Sequence, residues 1–335
     1  MSFRDDRPHP LLSLSHRTVS SLTALSVLAL CGLLAIACDR TSGPDYTAGE
    51  VYFGRNEYIE YLAGDLPIIL SAPHGGTLIP AEIPDRTWGT MSRDLNTEEL
   101  ARKFAETVHA ATGGWPHVVI CRLRRTKLDA NRDLEEAAQG NRYAEQAWNE
   151  WHRFLRYARK RVESEWGAGF YIDLHGHGHP IQRLELGYLL SDSAMNLADG
   201  VLDGSYYVEN ASVRELVSRS GRTLSDLLRG PLSLGTLLEE RDFPAVPSQN
   251  QPYPAADPYF TGGYNTATHS SRNGGTVSGV QIECNYEGVR DSSTNRAAFA
   301  AALTEALEVY LEEHFGLVLQ PSGFSLALVG TDSPR

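Results

Sequence analysis

The chain has 335 residues and carries 42 acidic against 30 basic side chains, a formal net charge of −12. Its 41% hydrophobic content is too high for a disordered chain, and its acidic balance argues against a nucleic-acid binder, because an acidic surface repels phosphate. Four cysteines are too few for a disulfide scaffold, and 30 Gly with 17 Pro in no G-X-Y period exclude a fibrous protein.

Residues 1–20 are polar and carry Arg4, Arg7 and Arg17; an apolar run from Leu22 to Ala37 follows. A basic start, a short apolar stretch and small residues before a cut point read as an export signal. The run is short for a membrane-spanning helix, which needs about 20 residues. Cys38, directly after Ala37, resembles the cysteine of a bacterial lipobox, although Ala35 stands where Leu is usual, and Asp39 resembles a signal to stay at the inner membrane. The expected organisation is a lipoprotein signal over 1–37, a tether over 38–50, one catalytic domain over 51–320 and a tail over 321–335. The mature protein would be exported, lipidated at Cys38 and held at the membrane, facing the periplasm or the outside. An uncleaved anchor and a plain signal peptide are the alternatives. Loss of three Arg and two Asp with residues 1–37 takes the net charge to −13.

In the mature chain, apolar strand-like runs alternate with helical patterns. Residues 66–71 predict a strand. Asn96 and Glu99 have the spacing of a capping box opening a helix that reaches about Ala111, where Gly113 and Gly114 stop it. His117–Cys121 is the next strand, and a long helix runs from about Ala144 to Trp166. Residues 169–174 and 187–190 are further strand candidates. Helical patterns follow over 211–219, 222–229 and 233–240, then a strand over 279–284 and a closing helix over 296–314. Such alternation predicts a three-layer α/β/α fold around a mixed, largely parallel sheet, with ligands at the carboxyl ends of strands. Residues 243–276, with five Pro, four Gly and no periodicity, predict an active-site wall or lid. Cys121 and Cys284 lie in apolar runs and read as buried thiols, with a disulfide open outside the cytoplasm.

Chemistry-bearing residues gather where these strands end. His74 follows Pro73 and precedes Gly75-Gly76, a tight turn whose glycines could admit a ligand or metal, or where the His merely caps the turn. In Asp173-Leu174-His175, alternation puts Asp173 and His175 on one face, a metal ligand with a supporting carboxylate; His177 and His179 are substrate contacts or surface residues. Glu283 shares a face with Gln281 and reads as a general base or as a structural carboxylate paired with an Arg. The basic run 122–132, containing Arg125 and Arg132, is a solvated face or a grip for an anionic substrate group.

Four segments, Ser71-Ala72-Pro73-His74-Gly75, Asp129-Ala130-Asn131-Arg132, Asp173-Leu174-His175 and Gln281-Ile282-Glu283, stand in the order of the N-formylglutamate amidohydrolase-like proteins, which the chain resembles over about 66–315. That family is similar to the zinc carboxypeptidases. The resemblance implies one Zn²⁺ held by His74, His175 and a carboxylate. Thr77 stands where carboxypeptidases carry a Glu, so Asp94 is expected as the third ligand, with Glu82 as the fallback. It further implies Glu283 as general base and Arg125, with Arg124 as the alternative, as the group that polarises the scissile carbonyl. Asn131 and Arg132 would bind the substrate carboxylate, and Tyr264 would close over the substrate, with His269 another candidate on the same segment. The expected activity is zinc-dependent hydrolysis of an amide in a small molecule or peptide bearing a carboxylate: an N-acyl amino acid, a γ-glutamyl bond or a peptide C-terminus. A non-catalytic binding lipoprotein and a metal-dependent esterase or deacetylase are the rivals.

Overall fold

The computed structural model describes residues 45–319. The chain divides into two compact units, Met1–Asp45 and Tyr46 onward. The first lies, but for Asp45, outside the described residues, and so do the expected signal, Cys38 and the whole of the expected 321–335 tail. Among the described residues no helix is long and apolar enough to cross a membrane.

The second unit is built on one eight-stranded sheet in the order β1-β2-β4-β3-β5-β8-β6-β7. The strands are β1 (Val51–Phe53), β2 (Ile59–Leu62), β3 (Ile68–Ala72), β4 (His117–Cys121), β5 (Gly169–Gly176), β6 (Leu184–Gly187), β7 (Ala245–Val246) and β8 (Val277–Cys284). The central four, β4, β3, β5 and β8, run parallel; β2 joins β4 and β6 joins β8 antiparallel. The central strands are buried on both faces, as parallel strands between helical layers must be. Alternation sorts their side chains. Ile68, Leu70, Phe170, Ile172 and Ile282 pack under helices α1 (Thr97–Thr112) and α4 (Ser293–Phe315). Ile69, Val119, Tyr171 and Val277 pack on the other face under α2 (Arg142–Trp166). Each such side chain contributes roughly 1.5–3 kcal/mol by leaving water.

The long helix α2 forms where its sequence allows. Ala144, Ala147, Trp151, Phe154, Leu155, Ala158 and Val162 are all buried, a helical stripe of small and large apolar groups. Asn141 caps its start by accepting from Tyr143 N and Ala144 N, and Gly167 ends it at φ 73°, a left-handed conformation that glycine takes without strain.

The structure corrects several sequence expectations. The strand expected over 187–190 is Leu184–Gly187. It stops there because Leu189 adopts φ 66° and the backbone of 260–262 packs against Gly187, where a Cβ would lie 2.4 Å from Gly262 N. Asn96 does not cap α1 with its side chain; it sits at φ 65°, and its Nδ2 donates to Arg290 O instead. The segment 243–276 is not wholly irregular, for it holds β7 and the short helix α3 (Tyr264–His269). The antiparallel strands β1 and β2 at one end of the sheet were not foreseen. Cys121 and Cys284 are buried and unpaired.

Candidate metal centre and active site

The sheet brings Ser71, Asp173, His175, Gln281 and Glu283 to the face that α2 covers. Register sets Ser71 beside Asp173 and His175 beside Glu283, and on the far side Glu185 of β6 stands opposite Glu283. His175, Glu283 and Glu185 therefore form a row across three strands at the carboxyl edge of β5 and β8. His74 enters from the turn after β3. Asp94 comes from the long loop between β3 and α1, and its backbone N donates to His74 O at 3.1 Å.

His74, Asp94 and His175 converge. Asp94 Oδ2 lies 3.3 Å from His74 Nδ1 and 3.1 Å from His175 Nδ1, and the three ligand atoms lie within 4.8 Å of one another. All three residues are buried. Glu82, the fallback ligand, lies apart from this group: it is exposed and hydrogen-bonded by Tyr58 Oη.

Each imidazole is held from behind by a carboxylate. His74 Nε2 lies 2.7 Å from Asp129 Oδ1, and His175 Nε2 lies 3.1 Å from Asp173 Oδ2. Asp129 also accepts from Arg125 Nε at 2.9 Å and from Asn131 N at 3.1 Å; Asp173 accepts from Ser71 Oγ at 2.6 Å, and Ser71 in turn meets Tyr171 Oη. A charged carboxylate is the strongest hydrogen-bond acceptor available to these rings, so the proton sits on Nε2 and the Nδ1 lone pairs face Asp94. With both rings neutral, three acceptor atoms point at one another, and Gly176 N donates into the group at 3.2 Å to Asp94 Oδ2. Such a cluster fits a cation. Two imidazole nitrogens and one carboxylate oxygen, each ring backed by a carboxylate, are the donors that a catalytic Zn²⁺ takes while keeping a position open.

The same carboxylates attract positive charge, whether a cation or a proton on the His175 ring. Burial disfavours a charged His175, yet the Asp173 and Asp94 carboxylates outweigh it and push its pKa well above the ordinary value. Burial would raise Asp94 and Asp129, but the imidazoles, joined at Asp129 by Arg125, hold both below the usual carboxylate range. The pocket is built around positive charge. Glu283 goes the other way: burial pushes it up to about 8, opposed by His175 and helped by the Asp94, Glu185 and Asp173 charges. Its Oε1 accepts from Gln281 Nε2 at 3.0 Å and lies 4.0 Å from His175 Nδ1.

Arg125 lies in this cluster, with Nη1 3.8 Å from Asp94 Oδ1. Asn131 also joins it: its Oδ1 accepts from Asn265 N at 2.7 Å, and its amide lies against the His175 ring. This bond makes the segment before α3 the site's wall, close enough that a Cβ on Gly263 would lie 2.5 Å from Asn131 Nδ2. Arg132 is turned to Glu136 and to its own neighbour's carbonyl, Asn131 O. Tyr264 packs its ring against His152 and Trp148 of α2. His269 is buried against His152, with Nε2 2.8 Å from His152 Nδ1. The glycines after His74 serve packing: a Cβ on Gly76 would lie 2.3 Å from the backbone of Arg122, and one on Gly75 would lie 2.5 Å from Glu98 N.

Sequence reasoning gave no role to Asp129, Glu185 or Arg183. Asp129 was signalled only by its place two residues before Asn131. Glu185 is buried in the row with Glu283; it meets His179 Nδ1 at 2.7 Å and accepts Phe260 N at 2.8 Å. His179 stacks on Phe260, at 4.7 Å between ring centroids. His177, His179 and Glu185 form a second group with metal-ligand spacing. Both His177 nitrogens are occupied, however, Nε2 by Arg183 O at 2.8 Å and Nδ1 by His179 N at 3.1 Å.

The fold and site define an α/β/α protein with a buried His–Asp–His centre and an adjacent buried glutamate at the carboxyl edge of its parallel strands. No family model matches the chain, and no curated protein sequence matches it. Solved structures it is similar to include an N-formylglutamate amidohydrolase from Ralstonia eutropha, at 13% identity and a TM-score of 0.47 over 80% of this chain and 98% of that one. Others are a succinylglutamate desuccinylase from Chromobacterium violaceum (10%, TM-score 0.36, 83% and 73%) and an N-acetylmuramyl-L-alanine amidase from Mycobacterium smegmatis (12%, TM-score 0.33, 73% and 96%). The family that the sequence motifs resemble is thus represented among them. The likeness is distant, and the functional reading rests on the site's own geometry.

Proposed function

We propose that this protein is a zinc-dependent hydrolase that cleaves an amide in a substrate bearing a carboxylate. The observation that carries the reading is the convergence of His74 Nδ1, His175 Nδ1 and Asp94 Oδ2, with Asp129 and Asp173 behind the imidazoles and Glu283 4.0 Å from His175. His74, Asp94 and His175 would hold the metal. A divalent cation bound there acidifies water and polarises a carbonyl. Glu283, kept basic by burial among other carboxylates, takes a proton from the attacking water and returns it to the leaving amine nitrogen. Arg125, fixed by Asp129, offers its guanidinium to the oxyanion that develops on the scissile carbonyl. Asp129 and Asp173 keep the two imidazoles in one tautomer and orientation throughout.

Export and lipidation at Cys38 belong to the same proposal and rest on the sequence of residues 22–38. A substrate outside the cytoplasm follows from them: peptide ends, γ-glutamyl chains or cell-wall stem peptides.

The test is amine release from a panel of N-acyl amino acids and peptides, with and without chelator, alongside Glu283→Gln. Turnover should vanish with chelation and return with Zn²⁺. The substitution should lower kcat by roughly 100-fold or more while binding survives. Activity indifferent to both would sink the proposal. Ester cleavage without amide cleavage would favour the esterase, and binding without turnover the non-catalytic lipoprotein.

A further inference from the structure

Asn131 Oδ1 is engaged by Asn265 and Arg132 is turned to Glu136, whereas another guanidinium is buried just ahead of β6 with fewer partners. Arg183 immediately precedes β6 and is only 4% exposed. It stands in step with Glu185, two residues on, which lies opposite Glu283 in the register of β6 and β8. Its charge reaches Tyr259, whose hydroxyl donates to Leu186 O on the same strand. Its Nη1 makes a long contact of 3.4 Å to Asp257, a residue of the wall segment with a half-exposed side chain. Its Nε and Nη2 are buried and have no hydrogen-bond partner. Those two N–H groups lie on one edge of the planar guanidinium, the edge that receives both oxygens of a carboxylate. Among the described residues no other arginine leaves two buried nitrogens unpartnered.

A buried guanidinium with an unsatisfied edge costs folding free energy unless an acceptor fills the edge, and a carboxylate meets both of its N–H groups at once. We infer that Arg183 is the residue that recognises the carboxylate of the substrate, through a bidentate contact from Nε and Nη2. This rests on the proposed amide hydrolase and deepens it. Across the sheet the order is β3, β5, β8, β6, so Glu283 stands between the His–Asp–His centre and Arg183. The substrate would then lie across Glu283, its scissile carbonyl at the metal centre and its carboxylate on the β6 side. The selected class is an acyl amine with a carboxylate set away from the scissile bond. Asp257, from the segment 243–263, would close the guanidinium's remaining side.

Glutarate and butyrate separate this inference from the reading beneath it, since neither is hydrolysed. Both can place one carboxylate at the centre, and only glutarate has a second. Calorimetry on the zinc-loaded full chain should show glutarate binding about 100-fold or more tighter than butyrate. Arg183→Met should bring that ratio close to one, and Arg132→Met should leave it unchanged. Arg183→Lys, whose ammonium cannot grip two oxygens along a flat edge, decides the matter should the Met variant not fold; its ratio should fall about 10-fold. A wild-type ratio near one, a ratio that Arg183→Lys does not move, or a ratio that collapses with Arg132→Met would overturn the assignment. Absence of amine release from every substrate tested, with the Arg183-dependent ratio intact, would instead overturn the hydrolase and keep the anion site.

Discussion

Asp129→Asn asks how much of the metal centre depends on the groups behind it. The side chain is fully buried, and its two oxygens accept three hydrogen bonds: His74 Nε2 at 2.7 Å, Arg125 Nε at 2.9 Å and Asn131 N at 3.1 Å. Asn has the same shape but only one acceptor oxygen. If that oxygen stays with His74 and Asn131, the new NH₂ faces Arg125 Nε, donor against donor. The arginine then keeps Ser92 O at 3.3 Å and the longer 3.8 Å contact to Asp94. A buried ion pair broken on one side costs about 3–5 kcal/mol of stability. A carboxylate lost from behind a metal-bound imidazole costs about 10–100-fold in metal affinity, or about 1.4–2.7 kcal/mol. Competition against a chromophoric chelator measures the second quantity, and urea unfolding of metal-free protein the first. Both should fall together. A variant that holds Zn²⁺ as tightly as the parent would refute the role given to Asp129, whatever its stability.

The remaining predictions address the metal, the core and the first turn. Zn²⁺ at 100 times its dissociation constant should stabilise the chain by about 2.7 kcal/mol, read as a rise in Tm, and His175→Ala or Asp94→Ala should abolish that rise; an equal rise in the variants would place the metal elsewhere. His117 is buried in the sheet, where Tyr61 Oη and Gly64 N meet its Nδ1, and burial, aided by Arg161, depresses its pKa from 6.5 to about 3. The folded form therefore stays neutral where the unfolded chain takes up a proton, so stability is full above about pH 6.5 and declines below it. The loss should approach 2.7 kcal/mol at about pH 4.5 from this residue, and urea titrations of the parent and His117→Asn should differ in slope by close to one proton. Gly76→Ala drives a methyl into the Arg122 and Cys121 backbone, so it should lower stability by about 1–3 kcal/mol and weaken zinc binding through His74; a thermal melt matching the parent would count against this packing.

Much of the fold was legible because local patterns answer to local physics. The stripe along α2, Gly113 and Gly167 at helix ends, and the apolar runs of β3, β4, β5 and β8 follow from side-chain period and backbone freedom. The pairing of Asp173 with His175 could be read from strand alternation alone. What the pattern could not show were elements whose signal lies in their neighbours. The strands β1 and β2 are short, and β6 was misplaced by three residues because the backbone that stops it at Gly187 arrives from residues 260–262.

By itself the sequence determined an α/β chain with histidines and carboxylates at strand ends, because apolar period and strand alternation are carried by adjacent residues. Only the tertiary structure decided how those groups are spent. It set Asp94 and not Glu82 beside His74 and His175, because one loop folds under His74 while Glu82 faces solvent with Tyr58. It turned Asn131 to Asn265 and Arg132 to Glu136, and it buried Arg183, two residues before Glu185, with two nitrogens unpartnered. A hydrogen bond is settled by which groups meet across the sheet, and residues 55 or 134 positions apart meet only once the chain has folded.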